Sequence, residues 1–350
     1  MTVLVDHPPA TGEPAFSFHD RGPLSRRIMR MLATSHLDDG LDVVAQDVLD
    51  LTRDAVLDDD VQLSLFLLYG TAYGSFGRVG AELEWDPTLL RVRTRLEAAF
   101  EAAVRDRVDA PPAPSPVTAA SVSDALFALT APQPGPGLAR DVEKTATREQ
   151  VRELLILRSI YTLREADPHS WAIPRLTGRP KAALVEIQSD EYGGGRPERM
   201  HAVMYADAMR GAGLDDRYAH YVDRVPAVTL ASQNLMSMFG MNRRLLGAVV
   251  GHLAAFEMTS SLPNRRYADG MRRVGFDETV TAYFDEHVEA DAVHEQIAGR
   301  DLAGGLAEQQ PDLVCDIVFG AAACLMMDDL VADHVRTAWA AGRSALRTER

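Results

Sequence analysis

Residues 283–297, YFDEHVEADAVHEQI, space His287, Asp291 and His294 at i, i+4 and i+7. At 100° per residue the three fall within an arc of roughly 60°, so one helix face presents two imidazoles and a carboxylate to a single point. Borderline-to-hard metals such as iron, manganese or zinc take that ligand set. Spacing alone leaves a second reading open, a polar surface helix whose histidines coincide.

A second constellation lies in VEIQSDEYGGGRPERMHAVMY, residues 185–205. Glu191 ends an amphipathic stretch, three glycines interrupt it, and Pro197 suits the first turn of a new helix that carries His201. On one straight helix, ten residues would leave Glu191 and His201 about 80° apart in direction. A hinge lets both turn toward one centre. Glu198 competes for the same role, because Glu198-x-x-His201 is the E-x-x-H pair of di-iron bundles and Asp291-x-x-His294 would be an imperfect second copy. The bland alternative is a loop at Gly193-Gly194-Gly195 with solvated carboxylates around it. The triple glycine is no phosphate-binding fingerprint, since no strand precedes it and no G-x-x-x-x-G-K follows.

Two further carboxylates stand out by context. Glu257 is the only acid in GAVVGHLAAFEMTSSL, and a buried Glu on such a helix must be paired or metal-bound. Glu165 closes the apolar-periodic LLILRSIYTLREADP just before Pro168. Taken singly, each is more often an end-of-helix or interface acid. His252 lies five residues before Glu257, about 140° round the helix, and is expected to face elsewhere. Asp328, Asp329, Asp333 and His334 read as a solvated face. The sequence has no G-x-S-x-G elbow and no cysteine beside a convincing base, which disfavours hydrolase chemistry.

These residues need helices to hold them, and the sequence supplies little else. Leu, Ala, Arg, Met and Glu dominate, and sustained period-2 alternation is absent. Helices are expected at about 23–36, 40–57, 61–76, 86–107 and 118–130. In the second half they are expected at about 139–166, 180–191, 197–212, 215–223, 226–238, 242–260, 265–274, 277–297 and 311–341. Proline-rich breaks at 111–114 and 132–136 read equally as a domain boundary or as long connections inside one bundle, since no charge or complexity shift accompanies them. The expected organisation is a mobile arm over 1–20, a helical region over 21–137 packing on the rest, and a core over 138–345. The fold class expected is all-α, a multi-helix bundle with extra N-terminal helices.

Composition bounds the partners. Of 350 residues, 46% are hydrophobic and 25% charged, as in a globular chain, and 36 Lys+Arg against 51 Asp+Glu leave a net charge of −15. No basic stripe offsets that charge, so neither nucleic acid nor an anionic membrane is an expected partner. Cys315 and Cys324 offer neither a disulfide framework nor a zinc quartet, and that usage fits a reducing cytoplasm. The N-terminus lacks the basic and apolar regions of a signal peptide. The longest uncharged run, 61–77, is shorter than a span and carries Gln62 and three glycines.

The stretch EADPHSWAIPRLTGRPKAALVEIQSDEYGGGRPERMHAVMYADAM closely resembles the iron-containing redox enzyme family, heme-oxygenase-like di-iron oxidases and oxygenases that bind no heme. The resemblance runs over roughly 150–300. It implies a heme-oxygenase-like bundle and seven metal ligands: Glu165, Glu191, His201, Glu257, His287, Asp291 and His294. It also decides for Glu191 over Glu198. Four carboxylates and three imidazoles can hold two ferrous ions. Asp190, Gln188 and Tyr192 are near enough in sequence to support the ligands.

What the resemblance implies for activity is O2 activation through a peroxo-di-iron(III) species, with electrons returned by an external donor. The pattern is most similar to members that N-oxygenate a small amine (an amino acid, guanidine or aminoazole) in natural-product biosynthesis. Oxidative C–C cleavage, desaturation or decarboxylation is the alternative reaction, and a non-catalytic helical metal-binding or interaction protein the alternative class. A homodimer stays open.

Overall fold

Asp58, Asp86, Thr118, Thr147 and Asp277 each accept a hydrogen bond from a backbone amide two or three residues on, and a helix begins at the next residue. In a chain with so many good helix formers, such caps decide where each helix starts. The computed structural model describes residues 16–132 and 134–348; the side chains of residues 289–292 lie outside the described set. Among the described residues the α-helices are α1 (Pro23–Thr34), α2 (Leu41–Leu51), α3 (Asp59–Ala72), α4 (Pro87–Arg105) and α5 (Ala119–Leu129). Then come α6 (Leu138–Lys144), α7 (Arg148–Thr162), α8 (Asp167–Ser170), α9 (Gly178–Glu191), α10 (His201–Gly211) and α11 (Ala227–Met241). The chain ends with α12 (Leu246–Met258), α13 (Ser261–Arg273), α14 (Glu278–Gln296), α15 (Gly304–Gln309) and α16 (Val314–Ala340). No strand occurs among the described residues, so the fold is an all-α multi-helix bundle, as expected.

α12 is the centre of the packing. Eleven of its thirteen residues are buried, and it runs along α16. Two glycines permit the approach. A Cβ on Gly251 would stand 1.8 Å from the Ile317 carbonyl oxygen, and one on Gly320 would stand 2.0 Å from that of Ala248. Around this pair, α14 packs against α10, α12 and α13, and α9 packs against a π-helical turn at Ile297–Ala303 that continues α14. α3 carries the N-terminal helices onto the core by packing on α11, where Asn234 donates to the Gln62 backbone and side-chain oxygens, both at 2.8 Å. Glu101 of α4 makes a second link through Arg244.

Several expected boundaries shift. The helix expected over 139–166 breaks at 145–147, because the Thr147 hydroxyl caps a new helix and Gln150 bonds back to the Thr147 amide. The stretch 215–223 forms no α-helix; Asp215 binds its own neighbours, the Arg217 amide and guanidinium, which favours a turn. α15 was not expected, since four of its six residues are glycine or buried apolar side chains without a readable period. Of the expected arm, residues 1–15 lie outside the described residues, while Phe16 and Phe18 are buried against Phe66 and Phe76. No single described helix is long and apolar enough to cross a membrane.

Candidate metal centre

Four of the five segments that bring acids and imidazoles to the centre do so at a helix end. Glu165 follows α7, Glu191 is the last residue of α9, His201 the first of α10, and Glu257 the last but one of α12. α14 alone crosses the centre mid-helix with His287 and His294. The return from Glu191 to His201 depends on Gly193, at φ +74°, where a Cβ would meet the Met200 amide at 2.7 Å and the Arg199 carbonyl carbon at 2.8 Å. Only glycine tolerates both the positive φ and that approach.

The side chains converge in two overlapping groups. Glu165, Glu191, His201 and His287 form one and Glu191, Glu257 and His294 the other, with candidate ligand atoms within 4.8 Å of one another in each. Glu191 belongs to both. All six residues are buried. Asp291 lies on α14 between the two histidines, and its side chain is outside the described residues. Glu198 is exposed and in neither group.

Hydrogen bonds outside the groups aim the imidazoles inward. His287 Nδ1 donates to the Tyr283 carbonyl at 2.8 Å, which leaves Nε2 facing Glu165 Oε1 at 3.7 Å. His294 is reversed: Nε2 lies 3.2 Å from Asp190 Oδ2, and Nδ1 faces Glu257 Oε2 at 3.4 Å and Glu191 Oε1 at 4.0 Å. Carboxylate or carbonyl partners on the far nitrogen are what fix a metal-binding imidazole's tautomer. His201 Nδ1 approaches Glu191 Oε2 to 2.9 Å without hydrogen-bond geometry, as two atoms do when both point at a third position between them.

The charges balance locally. Burial pushes Glu165 up, but His287, His201 and the Tyr283 hydroxyl outweigh it and hold its carboxyl below the ordinary value. Burial would lower His294; Glu257, Asp190 and Glu191 instead push it up to about 9. Burial likewise opposes the charge on His201, which Glu191 raises. Three carboxylates so close together repel unless a cation sits among them, and without metal the protonated imidazoles fill that role. An oxygen-and-imidazole donor set suits iron, manganese or zinc, and a carboxylate shared by both groups suits a pair of ions.

A matching family, described as iron-containing redox enzyme, covers residues 152–329, half of the chain. The protein belongs to that family. Like other iron-containing redox enzymes, it carries a His/Glu cluster of the di-iron kind, and its all-helical bundle agrees with the heme-oxygenase-like expectation. Over 160 residues it is 28% identical to nitrosourea synthase of Streptomyces achromogenes subsp. streptozoticus. That match takes in 45% of this chain and 34% of the relative, so the chain spans about a third of the length of the protein it matches.

The residues flagged as supports separate. Asp190 reaches His294. Gln188 instead donates to the Ala166 carbonyl at 2.8 Å and the Ser170 hydroxyl at 2.7 Å, and Tyr192 donates to Asp167 Oδ1 at 2.9 Å. Both brace the turn after Glu165, where Ala166 holds φ +72°, a strained conformation for a residue with a Cβ. His252 does face away from the centre, and it meets His169 at 3.2 Å. Asp328, Asp329, Asp333 and His334 are exposed by surface area, but the face is not wholly solvated: desolvation raises the Asp328 carboxyl to about 6, and His334 Nε2 lies 2.9 Å from the Ala345 carbonyl. Sequence reasoning missed Tyr283 and His169. Tyr283 could have been found, since it sits one turn before His287 on the same face.

Proposed function

We propose that this iron-containing redox enzyme is an O2-using di-iron oxygenase that N-oxygenates a small amine. The observation that carries the reading is Glu191, a buried carboxylate common to both donor groups, as two neighbouring ions require. Glu165, His201 and His287 would hold one iron with Glu191, and Glu257, His294 and Asp291 the other. When bound, the two ferrous ions supply electrons and coordination positions for O2. A monooxygenation balances as R–NH2 + O2 + two electrons + two protons → R–NHOH + H2O, so an external donor must return the electrons. The likeness to a protein named nitrosourea synthase supports nitrogen as the reacting atom, because a nitrosourea carries an N–N=O group.

The chain's own residues do the rest. A cavity of about 20 Å³ lies against the centre, walled by Tyr161, Leu253 and Phe256 beside Glu165, Glu191, Glu257 and His287. Its volume is little more than a water molecule occupies, so an amine must displace wall side chains to enter, and bulk water stays out when it has. Holding the amine nitrogen beside the centre is worth up to about 7–11 kcal/mol in favourable cases. The test is anaerobic Fe2+ loading, then O2 with candidate amino acids, guanidines and aminoazoles. Two irons per chain and a product with a new N–O bond support the reading. A new alkene or a broken C–C bond would replace N-oxygenation by the alternative oxidation. Absence of both iron uptake and O2 consumption would point to a non-catalytic protein.

A further inference from the structure

The cavity beside the centre has a polar wall that holds no metal-facing residue. His169 and Gln188 line it, at 1% and 3% exposure. Each has one atom, His169 Nδ1 and Gln188 Oε1, that makes no hydrogen bond among the described residues, while the rest of each side chain is pinned. Gln188 Nε2 is committed to the Ala166 carbonyl and the Ser170 hydroxyl. That commitment fixes the amide, so Oε1 can only accept. His169 Nε2 is committed to His252 Nδ1 at 3.2 Å. His252 in turn stacks on Phe256, one turn further along α12, with ring centroids 6.2 Å apart.

Burial favours the neutral ring in both histidines: it lowers His169 to about 4 against a smaller opposing effect of Glu165, and burial with His169 nearby lowers His252 as well. A neutral pair shares one proton across the 3.2 Å contact. When His169 Nε2–H is the donor, its Nδ1 is an acceptor, like Gln188 Oε1. Buried polar atoms left without partners are costly, and the residues lining this cavity carry four: His169 Nδ1, Gln188 Oε1 and Asn264 Oδ1 on the accepting side against Arg158 Nε, a donor. Acceptors outnumber donors beside a cluster of carboxylates, which favours an N–H donor.

We propose that His169 Nδ1 and Gln188 Oε1 form a substrate subsite that takes the N–H groups of the amine, with His252 as the positioning residue that sets the His169 ring. The inference rests on the amine reading above and names the residues that would select the substrate. It adds a second requirement to the site: a quaternary ammonium or an ether, lacking N–H, is bound less well than a primary amine or guanidinium of similar size.

The test uses the full chain with the centre filled by redox-inert Zn2+, and also without metal, probed with methylammonium. Caesium serves as a cation of the same charge without N–H. Nitrogen-15 spectra of the wild-type histidines should show an unprotonated His169 Nδ1 whose resonance moves with methylammonium and not with caesium. His169→Gln keeps an ε-position atom for His252 and loses the δ-position acceptor; it should weaken methylammonium binding about tenfold, roughly the worth of one buried hydrogen bond. His169→Asn keeps the δ-position atom and should lose much less. A protonated Nδ1, a resonance unmoved by the probe, or equal losses in the two variants overturns the subsite. The wild-type spectra decide even if a variant does not fold. Iron loading separates the two readings: two irons with an unmoved Nδ1 sinks the subsite alone, and a moved Nδ1 without iron uptake sinks the oxygenase reading alone.

Discussion

The Tyr283 hydroxyl lies 2.8 Å from both carboxylate oxygens of Glu165. The same residue's carbonyl accepts from His287 Nδ1 one turn further along α14. One buried tyrosine therefore orients an acid from the α7 end and an imidazole of its own helix, and ties the two elements together at the centre.

Tyr283→Phe removes the bond to Glu165 and leaves the carbonyl contact with His287 in place. Iron affinity at the group containing Glu165 should fall about 10- to 100-fold, the usual loss when an outer partner of a ligand is removed. Competition with a chromophoric Fe2+ chelator measures it. A variant that holds iron as tightly as the wild type would show that Glu165 is oriented by packing alone.

Because Glu191 is common to both groups, its loss should differ in kind from that of the others. Glu191→Ala should reduce tight binding from two irons per chain toward none. His294→Ala or Glu257→Ala should leave close to one, since neither belongs to the group with Glu165, His201 and His287. Iron analysis after desalting under argon reads the stoichiometry. Equal losses in all three variants would argue against a shared carboxylate.

Gly251→Ala and Gly320→Ala each drive a methyl group into backbone of the facing helix, at 1.8 Å and 2.0 Å from a carbonyl oxygen. Backbone cannot rotate away as a side chain can, so each should destabilise by about 3 kcal/mol or more, the upper range for overpacking. Urea unfolding of the metal-free protein gives the number. Because α12 carries Glu257, iron binding should weaken as well. A cost below about 1 kcal/mol would mean that the helices slide apart easily.

Glu101 joins α4 to the core through Arg244 and also holds Arg105. Burial raises its carboxyl, but the two guanidiniums outweigh that and keep it below the ordinary 4.5. A depressed acid adds stability that is fully present above its unfolded value and is lost as pH falls through the folded one. Arg244→Ala should cost about 0.5–1 kcal/mol at pH 7, since the Arg244 side chain is 56% exposed and solvent screens the pair. The gap between variant and wild type should narrow as pH falls through the ordinary carboxylate range and close below it. A gap that persists in acid would assign the loss to the packing of the Arg244 stem.

The sequence by itself determined what depends on local geometry. The 3.6-residue period puts His287 and His294 on one face whatever surrounds them, and capping and helix-forming residues specify an all-α chain. The resemblance added Glu165, Glu191, His201 and Glu257, which share no local period with α14. Only the tertiary structure decided how these meet. That Glu191 serves both groups follows from three chain segments ending at one place, and that Asp190 holds the outer nitrogen of His294 follows from α9 lying beside the end of α14. His169 and His252 are 83 residues apart and touch because α8 meets the buried helix α12. Helical periodicity says which way a side chain points from its own axis; it carries no information on which other axis lies opposite. That is settled by close packing, here by two glycines that let α12 and α16 approach.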